Sequence, residues 1–327
     1  MMKKSIYISW VLIALLIISC GTTSMLMTVT RPAEVNLKNY KKIALGDIVD
    51  AGGSVSRHAQ DIADDITTAL FDSETFEVLD RQNLQSIMSE HKLSTTGIID
   101  ENTASELGKV IGAAVLVFGR IQADKYDEET SKADAWKDKK TGVWHQTHYR
   151  KGTYNMSVNL KVIDITTSKI LAVKSLSAGY VSSTSADNQW PEEIDKDALY
   201  TKCLKNITGQ FMRMVAPYDV QVKASFQTDK LLPEVAQAIT QLKIGEWEEG
   251  LTLFEDATKK TGLEPKVKAK AFYDLGLAQL YGGDFDNAII NFKQAMKLMP
   301  SAKIYQNAIT NAKSEKEKAE KLQEQQG

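Results

Sequence analysis

The spacing of apolar residues changes along the chain, and this change limits which folds the chain can adopt. From Tyr154 to Val162, apolar residues alternate with polar ones, which predicts a β-strand with one buried face. From Pro233 onward, apolar residues recur at helical steps instead. The chain has 327 residues, and a domain usually holds about 150. The sequence therefore predicts a sheet-containing domain followed by an all-helical one.

The first domain begins with strands that alternate with helices. Residues 41–48 predict a strand, Gly52 and Gly53 a loop, and residues 54–71 an amphipathic helix. Further predicted elements are a strand at 76–79, helices from about Arg81 and at 103–111, and strands at 113–121, 154–162 and 170–181. A long helix at 192–214 and a final strand at 218–226 complete the domain. This order predicts an α/β fold over residues 36–226, with helices packed on a sheet that ends in an antiparallel meander.

The N-terminus has the features of a targeting segment. Lys3 and Lys4 precede an apolar run at 7–18, which is shorter than the ~20 residues that a spanning helix needs. The run ends at Cys20 in a pattern that resembles a bacterial lipobox. The resemblance implies a signal peptide at 1–19, lipidation of Cys20 and a lipidated tether at 20–35; an ordinary secretory signal is the alternative. In Gram-negative lipoproteins with this motif, a residue other than Asp after the cysteine implies sorting to the outer membrane. By this resemblance, Gly21 implies a location at the periplasmic face of the outer membrane.

Charge and cysteine content exclude several function classes. Lys and Arg number 40 and Asp and Glu 42, giving a net charge of -2, so no strong positive field favours nucleic acid as a partner. Cys203 is the second of two cysteines. If Cys20 is lipidated, no internal disulfide can form. The apolar helical spacing around Cys203 predicts a buried thiol.

A family resemblance extends over most of residues 41–182. It is carried by Phe76–Arg81, Leu84, Ile87, Glu90, Leu93, Gly97, Ile98, Ile99, Asp100, Ala104, Leu107–Lys109, Gly112, Ala113, Val115–Gly119, Leu160, Val162, Asp164, Thr167 and Ile170. In these positions the sequence resembles the curli production assembly and transport component (CsgG) family. The resemblance implies a lipoprotein that acts in secretion or assembly of envelope material and forms a homo-oligomeric ring.

One segment departs from what that family implies. Family members that secrete curli subunits contribute β-hairpins to a shared transmembrane pore, whose strands need a lipid-facing apolar side. Residues 124–141 contain 11 charged residues among 18. We therefore also consider a periplasmic adaptor or scaffold that forms no pore. Trp136, Trp144 and Tyr149 resemble the aromatic residues of a membrane interface, but among so many charged residues they are expected to cover a local core.

The second domain resembles tetratricopeptide repeats. The matching positions are Phe272, Leu275, Gly276, Gly283, Asp284, Phe285, Ala288, Phe292, Ala295 and Pro300, with an earlier copy at Ala238, Gly245, Trp247, Gly250, Phe254 and Ala257. We assign two repeats to 231–300 and a charged capping helix to 301–327. The resemblance implies binding of other envelope proteins or peptides, with Phe272, Gln279 and Trp247 as candidate protein-binding residues. Alternatively, the repeats pack on the first domain or on a neighbouring subunit.

Motifs for catalysis are absent from the sequence. There is no P-loop, no nucleophile elbow and no His-Glu-x-x-His pattern, and no dinucleotide fingerprint follows Gly53. His145 and His148 lie in a charged loop, where a metal site is not expected from two histidines alone. The sequence therefore predicts a non-enzymatic protein with no catalytic residues, cofactor or metal.

Overall fold

The computed structural model describes residues 21–79 and 114–326. The strands are β1 (Gly21–Arg31), β2 (Lys42–Val49), β3 (Glu77–Leu79), β4 (Ala114–Lys132), β5 (Trp136–Lys137), β6 (Trp144–His145), β7 (Thr147–Asp164), β8 (Ile170–Asp187) and β9 (Tyr218–Thr228). The helices are α1 (Arg57–Asp72), α2 (Lys196–Val215), α3 (Pro233–Ile244), α4 (Trp247–Lys259), α5 (Pro265–Tyr281), α6 (Phe285–Leu298) and α7 (Lys303–Gln326). Cys20, the leader and the helices predicted near Arg81 and at 103–111 lie outside the described residues.

The chain divides into two compact units. The sheet unit holds β2 to β8, α1 and α2, and lies in Thr30–Tyr218 together with the residues from Lys321 onward. Among the described residues, the helical unit consists of 21–29 and of Asp219–Glu320. It holds most of β1 and β9, helices α3 to α6 and most of α7. The predicted order, an α/β region followed by a helical region, is confirmed.

The main sheet is mixed and has the strand order β3-β2-β4-β7-β8. β2 pairs in parallel with β3 and β4, whereas β4, β7 and β8 form the predicted antiparallel meander. β4 continues to Lys132, well past its predicted end at 121, and β8 continues to Asp187 instead of 181. The three meander strands are therefore long, and the segment 124–132 is part of the sheet.

Helices α1 and α2 pack against one face of this sheet. The Ser56 side chain caps α1 and that of Asp195 caps α2, each by accepting a backbone N–H. Ile66 of α1 and Phe211 of α2 are fully buried in the same apolar core as strand residues such as Val158. A buried Leu, Ile or Phe contributes about 1.5–3 kcal/mol to stability, so this layer holds the sheet unit together.

The helical unit contains two helix pairs with matching details. Gly245 and Gly283, 38 residues apart, both adopt a left-handed backbone (φ 91° and 87°) after the first helix of each pair. Phe254 and Phe292, also 38 residues apart, are fully buried. A side chain at Gly276 would collide with the Phe292 ring, since its Cβ would lie 2.8 Å from Cε1. Gly276 therefore permits the close packing of α5 on α6, whereas Gly245 and Gly283 permit the left-handed turn that ends the first helix of each pair.

Two expectations about the ends of the sheet domain are wrong. The segment predicted as an irregular tether forms strand β1, which pairs with β9 in a separate two-stranded sheet. The β9 segment, predicted as the final strand of the α/β domain, therefore belongs with the helical unit. Ser24 lies 3.0 Å from Ser225 between the hydroxyl oxygens, and Gln221 donates to Thr28. The pairing joins residues about 200 positions apart, so local sequence gives little sign of it.

Candidate functional site

The three candidate protein-binding residues of the helical unit do not converge on one site. The Gln279 side chain accepts a hydrogen bond from Asn291 at 2.7 Å and so joins α5 to α6. Trp247 packs where a side chain at Gly282 would lie. Phe272 is partly buried, with the Lys268 ammonium 5.9 Å from its ring centre. At least two of the three residues therefore contribute to packing between the helices.

Helix α5 is covered in part by the chain's own strand β9. The Gln227 backbone N–H donates to Asp274 at 2.7 Å, and Lys270 pairs with Asp229 at 2.8 Å. Phe226 stacks on Phe254 with 5.4 Å between ring centres. The contacts of Asp274 and Lys270 occupy one face of α5, so that face is not open to a partner, while Phe226 packs on the neighbouring helix α4.

Asp274 is the one fully buried carboxylate within the described residues. Only one of its oxygens accepts a hydrogen bond; the other, Oδ2, has no partner. Burial raises the pKa of Asp274 to about 8, against the lowering effects of the Gln227 N–H and Lys270. The carboxyl group is therefore largely protonated at neutral pH, which makes the helical unit sensitive to alkaline pH.

In the sheet unit, a polar network joins both helices to the long meander. Asp124 of β4 lies 2.5 Å from Nδ1 of His58 and accepts a hydrogen bond from Tyr154 at 2.6 Å. His58 stacks on Tyr200 of α2, which donates to Asp61 of α1. Burial, followed by the bond to Asp124, raises the pKa of Tyr154. Tyr154 thus remains a neutral hydrogen-bond donor. The network holds the meander at the point where its strands extend past helices α1 and α2.

Beyond this network, the far end of the meander carries exposed aromatic side chains. Trp136 and Trp144 are 53% and 60% exposed, Trp190 is 46% exposed and Tyr149 is 44% exposed. The expectation that Trp136, Trp144 and Tyr149 cover a local core is therefore wrong. Together with Lys132, Lys137, Lys139 and Lys140, these four residues define what we call the aromatic tip.

The aromatic side chains of the tip are held in place by their neighbours. Trp136 stacks on His145 across the β5–β6 pair, with ring centres 4.7 Å apart. The Lys137 ammonium lies 5.9 Å from the Trp144 ring centre. Trp190 contacts the edge of His148 and has the Lys132 ammonium 5.1 Å above its ring. Such cation–π contacts contribute about 0.5–1 kcal/mol at exposed sites.

A tight turn between β5 and β6 presents the outermost lysines. The Asp138 carboxylate accepts the backbone N–H groups of Lys140 and Thr141, and these bonds lower its pKa. Gly142 completes the turn with φ 72°, a value that side-chain-bearing residues rarely adopt. Lys139 and Lys140 are consequently presented at the end of a defined loop.

The described residues contain no arrangement that suggests catalysis. Cys203 is fully buried, as predicted, and burial raises the pKa of its thiol, which donates to the Tyr154 carbonyl at 3.6 Å. No group of three metal-ligating side chains occurs in the two described stretches. None of the helices in those stretches has the length and apolar content needed to cross a membrane.

One comparison with known proteins matches the sheet unit. A family model described as "Curli production assembly/transport component CsgG" matches residues 35–189, somewhat less than half of the chain. This region contains β2 to β8. A search of curated proteins finds no match. The sheet unit is therefore the part of the chain that is similar to the CsgG family.

Several solved structures are similar in part. Lipoprotein GNA1162 from Neisseria meningitidis is 10% identical and has a TM-score of 0.28; the alignment covers 42% of this chain and 79% of that one. A PelC dodecamer from Paraburkholderia phytofirmans is 11% identical, with a TM-score of 0.28 and coverage of 59% and 99%. The C-terminal domain of LpoB from Salmonella enterica is 11% identical, with a TM-score of 0.26 and coverage of 45% and 84%. These scores are too low to support an argument about function or assembly.

Proposed function

We propose that this protein is a non-enzymatic lipoprotein of the cell envelope, anchored through Cys20 at the periplasmic face of the outer membrane. The sequence supports this through its short apolar leader, which ends at a lipobox-like cysteine followed by Gly21. Acyl chains stabilise membrane attachment by about 0.8 kcal/mol per buried methylene, so a doubly or triply acylated cysteine gives firm anchoring. The anchor is proposed as the main membrane attachment of each chain.

The proposed role is secretion or assembly of envelope material, as the CsgG family name describes. The observation that carries this proposal is the family match over residues 35–189, which coincides with the mixed sheet and its long meander. A homo-oligomeric ring is part of the proposal. Each chain would contribute its sheet unit to that ring.

The helical unit is proposed to consist of two tetratricopeptide repeats that bind an envelope protein or peptide. The matched glycines at Gly245 and Gly283 and the matched buried rings of Phe254 and Phe292 support a repeated pair of helices. Because β9 covers one face of α5, the partner is expected on a face that Phe272 and Gln279 border. Protein binding by such repeats usually relies on a short apolar groove.

The alternative is a periplasmic adaptor that uses the same fold without forming a pore. The charged composition of residues 124–141 favours this reading, because that segment offers no continuous apolar side. In the adaptor, the lipid on Cys20 would still anchor the chain and the helical unit would still bind an envelope protein or peptide. Only the ring would be missing.

Native mass measurement on detergent-extracted protein separates the two functions. We expect a discrete complex of several subunits whose mass does not change on dilution, because a ring is closed by repeated identical contacts. A second detergent with a different micelle size serves as the control for chains that merely share a micelle. A monomer in both detergents would contradict the ring and favour the adaptor.

A further inference from the structure

The aromatic tip has a composition that its fold does not explain. Three of the five tryptophans in the chain, Trp136, Trp144 and Trp190, lie at this one end of the meander. Val143, in the turn between β5 and β6, is also exposed. Grouped apolar side chains are uncommon on the surface of a monomeric protein and usually mark a contact with another molecule.

The charge of the tip differs from that of the whole chain. Residues 132–149 contain four lysines, at 132, 137, 139 and 140, against Asp134 and Asp138. This segment therefore carries a net charge of +2 by the same residue count that gives -2 for the chain. Asp138 is also engaged by two backbone N–H groups. The positive charge is thus presented outward, beside the tryptophans.

We propose that the aromatic tip docks on the surface of a membrane that contains anionic lipids. Trp and Tyr favour the region between lipid headgroups and acyl chains, where the ring is buried and its polar atom stays hydrated. Each lysine near an anionic surface adds about 1 kcal/mol of attraction. Strands β5 and β6 have two residues each and the segment 124–141 is densely charged, so we expect the tip to rest in the headgroup layer.

The same features fit other partners less well. Lysine is depleted in the buried centres of protein interfaces, whereas here lysines contact the tryptophan rings themselves. A lipid surface accepts this pairing because the lysine ammonium reaches the phosphates while its methylenes stay beside the ring. Self-association through the tip and binding of a glycan are outcomes that the test below can reveal.

The test uses a chain that begins at Gly21 and so retains every residue described in the structure but has no lipid. It is sedimented with vesicles of phosphatidylcholine alone or of phosphatidylcholine mixed with phosphatidylglycerol. We expect the protein to bind the anionic vesicles at least about tenfold more tightly, since two to three lysines supply that difference. High salt should weaken the binding.

Two variants and two matched controls locate the contact. One double variant combines Trp136→Ser with Trp144→Ser, and the other combines Lys139→Glu with Lys140→Glu. We expect each double variant to bind anionic vesicles about tenfold or more weakly. Val173→Ser and Lys161→Glu alter exposed residues elsewhere on the sheet and should leave binding unchanged. Thermal unfolding verifies that each variant is folded.

Three results would overturn the proposal. These are no binding to either kind of vesicle, equal loss in tip variants and controls, and tip-dependent self-association or glycan binding without vesicle binding. The proposal adds a second membrane contact to the proposed envelope lipoprotein. The vesicle assay contains neither the acylated cysteine nor a secretion substrate, so its failure would leave the proposed anchor and role untouched, and the reverse also holds.

Discussion

Phe292→Ala is expected to destabilise the helical unit by about 3–5 kcal/mol, the usual cost of removing a buried aromatic ring. The Phe292 ring is fully buried against Gly276 and lies 5.7 Å from Tyr273 between ring centres. Because Gly276 has no side chain, nothing nearby can fill the cavity. Urea unfolding followed by far-UV circular dichroism measures the change.

Two further substitutions make this result specific to the repeated helix pairs. Phe254→Ala removes the equivalent ring 38 residues earlier and should cost a similar amount. Ile290→Ala, on the same helix as Phe292 but 51% exposed, should change stability by less than about 0.5 kcal/mol. If Phe292→Ala were as mild as Ile290→Ala, the close packing of α5 on α6 would be wrong.

Asp274→Asn is expected to stabilise the protein at alkaline pH and to have little effect under acidic conditions. The pKa of Asp274 is raised to about 8 by burial, from an ordinary value of 3.8. Between these values the folded state keeps a proton that the unfolded state has lost. The free energy of unfolding therefore falls as pH rises, by at most about 1.4 kcal/mol per pH unit. Asparagine stays neutral and removes this dependence.

The measurement is urea unfolding of both proteins from about pH 3 to about pH 9. The stability difference should grow with pH up to about pH 8 and then level off, since both folded and unfolded states are then deprotonated. The end of the series at about pH 3 is the internal control, because there the wild-type carboxyl group is largely neutral in both the folded and the unfolded state, like the amide. A stability difference between the two proteins that does not vary with pH would contradict the claim that Asp274 is a buried carboxyl group with a raised pKa.

The helices of the helical unit were predictable from sequence because their determinants are local. Helix starts, left-handed glycines such as Gly245 and Gly283, and apolar residues three or four positions apart all act within one or two turns. The assignment of these helices to tetratricopeptide repeats remains a prediction. The order of strands and helices in the described part of the sheet unit was also predictable, because each strand has its own apolar pattern.

The sequence did not predict that β1 is a strand, or that β9 belongs with the helical unit. β1 packs the partly buried Met25 and Met27 against the helices of its unit, but its other inward positions are Gly21, Thr23, Val29 and Arg31. That pattern is too weakly apolar to indicate a strand. The strand exists because β9, about 200 residues later, supplies its hydrogen bonds. Pairing over such a distance is set by the tertiary fold.

The sequence showed which aromatic residues the tip contains, but it did not predict that they are exposed. Trp136, Trp144 and Tyr149 were visible as aromatic residues among charges, but their exposure follows from β4 continuing to Lys132. The charged residues 124–132 looked like a loop because they lack a long apolar alternation. In the structure, cross-strand pairs such as Arg150 with Glu128 accompany the strand pairing. Trp190 belongs to the tip because β4 continues to Lys132, whose ammonium lies over the Trp190 ring.

Incorporation of a labelled fatty acid, followed by membrane fractionation, tests the central claim that Cys20 is the lipid anchor. The chain has two cysteines, and Cys203 is buried, so Cys203→Ser is a matched control. We expect label and outer-membrane location in the wild type and in Cys203→Ser. Both should be lost in Cys20→Ser, apart from weak, salt-sensitive binding through the aromatic tip. Label retained in Cys20→Ser, or absent from the wild type, would contradict the account.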